Sequence, residues 1–158
     1  IDKSRLKYLE DYLGTGESFV RGWYHIRPND PLVGKNIVLF GYGKVGKGVA
    51  FYSRKEGANL TVVDINPDVL TKARKEGFEA IDLQHKSQLR STLHEANIVI
   101  GATGKPGTVG ISVPHSWLRA NSPFLVNIGI DEFGPHIRDN EILGGREGPI
   151  NFHLERLT

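Results

Sequence analysis

Apolar positions along the 158-residue chain follow two periods, and the switches between them outline a fold. Leu6, Leu9 and Leu13 stand at helical spacing within residues 2–13, with Gly14 as a stop. A second helix is expected from Thr15, which can cap it. Glu17 falls in its positive first turn, Phe19, Trp23 and Ile26 make the apolar stripe, and Pro28 ends it. Residues 27–34 read as a turn-rich linker. Lys35 then leads into Ile37, Val38, Leu39 and Phe40, an unbroken apolar run of the kind that forms a strand buried on both faces. That run passes straight into Gly41-Tyr42-Gly43-Lys44-Val45-Gly46, and a helical pattern on Val45, Val49 and Tyr52 starts at once, closing at Gly57. A second apolar strand ends in Asp64. Asn66-Pro67-Asp68 is a helix start with cap, proline and dipole-facing acid in order, and Gly77 is the matching stop.

The rest of the pattern is shorter. Residues 78–81 predict a third strand, 86–95 a helix on Leu89 and Leu93, and 97–101 a fourth strand. The segment Gly101-Ala102-Thr103-Gly104-Lys105-Pro106-Gly107 is too rich in glycine for a helix and reads as a loop at the carboxyl end of that strand. Residues 114–119 predict a short helix carrying Trp117 and Leu118, and 124–127 a fifth strand closed by Gly129. Beyond Asp131, glycines and prolines punctuate a loop-rich tail, with a final strand at 150–154. The alternation predicts an α/β fold: a doubly wound Rossmann-type parallel sheet with an N-terminal helical extension. Residues 1–30 are expected to be helices leading into a domain formed by 31–158.

The glycine turn carries the first candidate chemistry. Between a buried strand and a helix, Gly41 permits the tight turn, Gly43 lets a pyrophosphate approach the backbone, and Gly46 lets the helix lie close to the strand. The helix N-terminus adds unpaired N–H groups and a positive dipole. A GxGxxG found anywhere in a chain says little; this one is bracketed by the right elements. Asp64 closes the second strand 18 residues beyond Gly46, near the spacing of about 20 expected for an acid that accepts from ribose hydroxyls. A carboxylate there repels a 2′-phosphate, so the expected cofactor is NAD in preference to NADP. The alternatives are a ligand-free turn and a solvated strand end. Thr103 and Gly104 either line the nicotinamide ribose or simply turn the chain, and Lys44 and Lys47 beside the turn read more readily as solvated helix residues.

Composition narrows the remaining choices. Lys plus Arg total 20 against 18 Asp plus Glu, a net charge of +2, and the basic residues are scattered among acids, so no nucleic acid is expected. With no cysteine, disulfides and thiolate chemistry are excluded. No apolar run approaches the roughly 18 residues of a membrane span, no signal-peptide pattern opens the chain, and a cytoplasmic setting is the default expectation. The six histidines show no metal-ligand spacing, so no metal is expected, and no Ser/His/Asp arrangement or paired carboxylates can be assigned as catalytic. The chain starts at Ile1 and holds no methionine, which leads us to expect a piece of a longer polypeptide.

Longer motifs point to a family. The run from Gly14 to Asn66, with Gly14-Thr15-Gly16-Glu17-Ser18 upstream of GYGKVGKG and an acid-ending strand, resembles the NAD-binding domain of the S-adenosylhomocysteine hydrolase family. VIGATG over residues 99–104 is similar to that family's threonine-rich TTTG loop, and VNIG over 126–129 to its NIGH segment, so the resemblance covers nearly the whole chain. It implies a pyrophosphate held by residues 43–48, adenosine ribose at Asp64, and the nicotinamide end at Thr103, Gly104, Ile128 and Gly129. The full expected cofactor-binding set is Gly41, Gly43, Lys44, Val45, Gly46, Asp64, Ile65, Thr103, Gly104, Asn127, Ile128 and Gly129. The family oxidises the 3′-hydroxyl of the substrate ribose with tightly held NAD, eliminates homocysteine, adds water and re-reduces the product.

The chain also departs from the family's pattern. The Asp-Asn pair upstream of GTGxS falls on Glu10-Asp11, the catalytic lysine on Leu6, and the histidine after NIG on Ile130. The separate substrate domain is expected elsewhere in a parent chain. Catalytic residues are therefore left unassigned. Three readings follow: the dinucleotide domain of a divergent hydrolase-like protein that is not catalytic alone, an NAD-dependent dehydrogenase of the hydroxyacid type, or a non-enzymatic NAD-binding or assembly module. A homo-oligomer is left open.

Overall fold

A computed structural model describes residues 15–128 and 131–133 together with the backbone of 152–156. The helix expected over 2–13, Glu10, Gly129, Ile130 and the turn-rich segment 134–151 lie outside the described residues. Helix α1 spans Thr15–Ile26, strand β1 Asn36–Phe40, α2 Lys44–Lys55, β2 Asn59–Asp64, α3 Pro67–Lys75 and β3 Glu79–Asp82. They are followed by α4 at Lys86–His94, β4 at Ile98–Gly101, α5 at Thr108–Ser112, α6 at His115–Arg119, β5 at Phe124–Ile128 and β6 at Phe152–Arg156. The strands form one sheet in the order β3-β2-β1-β4-β5-β6. The first five run parallel, and β6 adds antiparallel to β5 with Phe124 opposite Arg156. This is the Rossmann-type order expected from the sequence, with its reversal point between β1 and β4.

Each central strand is buried on both faces, which explains its unbroken apolar sequence. On β1, Ile37 and Leu39 join Phe19, Trp23, Val49, Leu70 and Ala73 in one core layer. Val38 and Phe40 join Leu89, Leu93, Val109, Leu118 and Phe133 in the other. Helices α1, α2 and α3 thus cover one face and α4, α5 and α6 the opposite face. Burial of a large side chain is worth roughly 1.5–3 kcal/mol, so these two layers dominate stability.

The α1 helix is fastened from both ends of its stripe. Trp23 is fully buried, its ring meets Phe124 edge-on at 5.3 Å, and its Nε1 donates to the Asp30 carbonyl at 2.6 Å. At the other end, a Cβ on Gly16 would overlap the Gly48 carbonyl of α2. Gly16 therefore has a packing reason: two helices cross there at backbone contact.

One stretch differs from expectation. The region after Gly107 holds a five-residue helix, α5, where no helix was predicted. It has weak local support, with three β-branched residues and a glycine, and depends on tertiary contacts: Gly107 turns at φ +67 while its N–H donates to the Asp131 carbonyl at 2.9 Å, and Gly110 N–H donates to the Glu132 carbonyl at 3.0 Å. The final strand expected at 150–154 is met by Phe152–Arg156, residues 150 and 151 lying outside the described residues.

The joint between β1 and α2 is made at backbone distance. Gly41 takes φ +98, and a Cβ on Gly46 would overlap the Gly41 carbonyl oxygen. Gly46→Ala should therefore cost about 2–3 kcal/mol, read as a lowered midpoint in urea unfolding followed by circular dichroism. A midpoint within error of the unsubstituted chain would show that α2 can slide away freely.

Candidate functional site

At the carboxyl ends of β1, β2 and β4 the chain leaves a cleft of about 330 Å³, centred on the reversal point of the sheet. Its wall is built from Phe40, Gly41, Tyr42 and Gly43 after β1, Val63, Asp64 and Ile65 after β2, Leu83 after β3, and Ala102, Thr103, Lys105, Thr108 and Ser112 after β4. Ligands of open α/β sheets bind at such a place because the chain there diverges to opposite faces.

The three glycines of the turn separate by physical cause. Gly41 needs its positive φ, and a Cβ on it would lie 2.6 Å from the Ala102 carbonyl. Gly46 is required by the approach of α2 to the strand. Gly43 is different: its φ is −82, and a Cβ there would meet nothing within 4 Å. The fold of the chain does not require glycine at this position, and the space kept open faces the start of α2. That helix has no side-chain cap and no acid in its first turn, so its positive end is uncompensated. Helix α3 is capped by contrast, with Asn66 Oδ1 accepting from Asp68 N–H at 2.9 Å as the Asn-Pro-Asp sequence predicted. Lys44 is exposed, and Val45 packs on the core beside the cleft. Lys47 turns aside, its Nζ 5.8 Å from the Tyr42 ring centre, and burial followed by the neighbouring Lys72 lowers its pKa.

Asp64 is half-buried at the cleft wall. Its Oδ2 accepts from Tyr42 N–H at 3.2 Å and its Oδ1 from Asn66 N–H at 3.0 Å. The carboxylate thus ties the glycine turn to the end of β2, and its remaining lone pairs are available to hydroxyl donors in the cleft. Ile65 beside it is exposed and lines the same wall.

The other end of the cleft holds a feature that sequence reasoning missed. Glu132, fully buried, accepts from Thr103 N–H at 3.0 Å on both oxygens, from the Thr103 hydroxyl, and from Gly104 N–H at 3.4 Å. Its own N–H donates to Asn127 Oδ1 at 2.9 Å, and Asn127 Nδ2 donates to Asp131 at 3.3 Å. Thr103 therefore lines the cleft, Gly104 is an exposed neighbour, and Asn127 and Ile128 are buried at the end of β5 behind the wall. Glu132 lay in a stretch read as the start of a loop-rich tail. The available signal was an acid followed by an aromatic residue just past a strand end on the ligand-bearing edge. Leu83, Lys105, Thr108 and Ser112 were also missed, because no local pattern marks residues that reach a site through the sheet's topology. Among the described residues there is no cluster of three or more metal-ligating side chains and no helix long and apolar enough to cross a membrane.

Burial pushes the Glu132 pKa above its ordinary value of 4.5, opposed by the Thr103 hydroxyl and the two amides and reinforced by the Asp131 charge. The folded chain then holds a proton at pH values where the unfolded chain has lost it, so stability falls as pH rises through the folded pKa. In urea unfolding at a series of pH values, the wild-type chain should lose stability relative to Glu132→Gln as the pH is raised from 4.5 toward neutrality. A difference that does not change with pH would mean an unperturbed carboxyl.

Comparison with known proteins agrees with this geometry. Residues 12–138 match the family model described as the S-adenosyl-L-homocysteine hydrolase, NAD binding domain. The adenosylhomocysteinase of Thermococcus kodakarensis is 31% identical over 163 aligned positions, which cover 92% of this chain and 37% of that protein. The S-inosyl-L-homocysteine hydrolase of Methanopyrus kandleri is 34% identical over 105 positions, 66% of this chain and 23% of that protein. Among solved structures, a dipicolinate synthase from Bacillus halodurans superposes with a TM-score of 0.54 at 20% identity, over 68% of this chain and 36% of that one, a likeness of fold alone. The chain spans well under half the length of the curated relatives it matches. Its motifs, its sheet order and the family match over most of its length coincide: the chain belongs to the S-adenosyl-L-homocysteine hydrolase family and is an NAD-binding domain of that family.

Proposed function

We propose that the cleft described above is where this domain holds NAD, and that the domain serves a longer hydrolase of the family. The observation that carries the site assignment is Gly43: an open space that the chain's own packing does not require, in front of an uncapped helix end and beside a carboxylate. A pyrophosphate fits there, with Gly41, Gly43, Lys44, Val45 and Gly46 supplying backbone and helix dipole. Asp64 and Ile65 take the adenosine ribose end. Thr103 and Gly104, backed by Asn127 and Ile128 and followed by Gly129, take the nicotinamide end. NAD supplies a reversible two-electron oxidant; the chain's part is to bind it, orient it and exclude water from one side.

The two relatives' names differ in the base of the nucleoside, adenosine against inosine, while their matching region is this domain. Base selection is therefore assigned to the rest of a parent chain, and residues 31–158, entered through the helices of 1–30, to the cofactor. A substrate region in the same polypeptide, assembly with further copies of the chain and a cytoplasmic setting belong to the same proposal. A dehydrogenase of the hydroxyacid type is not favoured, because the motifs beyond GxGxxG match the hydrolase family over residues 12–138.

Calorimetric titration should show NAD binding more tightly than NADP by about 1–3 kcal/mol, since a partly buried carboxylate must face the extra phosphate. Asp64→Ala should narrow that gap, with a thermal melt alongside because the carboxylate also holds Tyr42 and Asn66. Equal affinities in the wild-type chain would remove the ribose role. Gly43→Val should abolish dinucleotide binding and leave the circular dichroism spectrum unchanged; retained binding would reduce the turn to a structural device. The 158-residue chain is expected to release no homocysteine from S-adenosylhomocysteine in a coupled assay run beside a full-length hydrolase. Turnover that disappears in Glu10→Gln would overturn that expectation.

A further inference from the structure

Glu132 is the only fully buried acid among the described residues, and its place in the fold is built. Gly101, the last residue of β4, must lack a side chain because a Cβ there would lie 2.9 Å from the Glu132 Cβ and 3.1 Å from its Cδ. The carboxylate accepts three groups of donors, all from Thr103 and Gly104, and Thr103 forms the cleft wall on its other side. One residue therefore separates a buried acid from the cleft.

Two consequences follow from this arrangement. The Thr103 and Gly104 amide donors point inward to Glu132, so they are withdrawn from any ligand. Thr103 in the cleft wall is then backed by a carboxyl in surroundings where water screens poorly. Among the described residues, the charged groups on the elements packed around Glu132 are few. Asp131 on its own turn adds a like charge, and Lys105 on the loop carries the opposite one; β4, β5 and α5 contribute no titratable side chain.

Resting on the placement of the nicotinamide end beside Thr103, we propose that Glu132 sets the oxidation-state preference of the bound cofactor. The buried carboxylate behind Thr103 stabilises the positively charged ring of NAD+ relative to the neutral ring of NADH. Adenine, ribose and pyrophosphate are common to both forms, so their contributions, including that of Asp64, cancel in the ratio of the two affinities. A residue that merely shaped the loop would change both affinities together and leave that ratio alone.

The test measures dissociation constants of NAD+ and NADH for the 158-residue chain, by calorimetry and by NADH fluorescence, from about pH 8.5 down to 4.5, the ordinary value for the carboxyl. The wild-type chain should prefer NAD+, and Glu132→Gln should lower the NAD+ to NADH affinity ratio about tenfold at the upper pH. Because the carboxyl's pKa is raised, the wild-type preference should be full above it and fall as pH drops through it, while the Gln variant's ratio stays flat. Glu132→Asp keeps the charge and should restore most of the ratio. If Glu132→Gln fails to fold, the wild-type pH profile and the Asp variant decide alone. A wild-type ratio that is flat with pH, or a Gln variant with the wild-type ratio, overturns the proposal. A wild-type chain that binds neither form overturns instead the cofactor reading on which it rests.

Discussion

The contact between the Gly41 carbonyl and Gly46 governs the geometry of everything around it. Because no Cβ intervenes, α2 starts within backbone contact of the strand it leaves, and its positive end is aimed along the carboxyl edge of the sheet. From that fixed start, β2 returns parallel to β1 with Asp64 opposite Asp82 of β3, and the Asp64 carboxylate reaches back to Tyr42. A wider turn would move the helix end and the acid apart.

The opposite wall is organised by a different force. Here a buried carboxyl does much of the positioning: Glu132 gathers the donors of the loop after β4, while Asn127, Asp131 and the carbonyls of Asp131 and Glu132 hold the chain after β5 against α5. Taking a carboxyl out of water is costly, and the donors that converge on it only partly offset that cost, as the raised pKa records. The cleft thus has a positive helix end at one side and a buried acid at the other.

The α1 helix shows how far the domain's core extends beyond the sheet's own crossovers. Phe19 and Trp23 share a layer with Leu39 and Val49, and Gly16 meets Gly48 at backbone distance. The segment that carries the family's upstream signature is thereby fixed against the helix that carries the glycine turn, so the two motifs are one packed unit in three dimensions.

The sequence by itself determined the elements whose causes are local. Unbroken apolar runs with glycine or acid ends marked β1, β2 and β4, the Asn-Pro-Asp start marked α3, and the spacing from Gly46 to Asp64 marked one wall of the cleft. Only the tertiary structure decided which helices cover which face, why α5 forms from a sequence with poor helix propensity, and which of three similar glycines is not required by packing. It alone brought Glu132 beneath Thr103, a pairing of residues 29 positions apart. The physical reason is range: propensity, caps and periodicity act within a few residues, whereas burial, desolvation and steric contact between strand ends depend on the order in which the sheet assembles, and no local pattern carries that order.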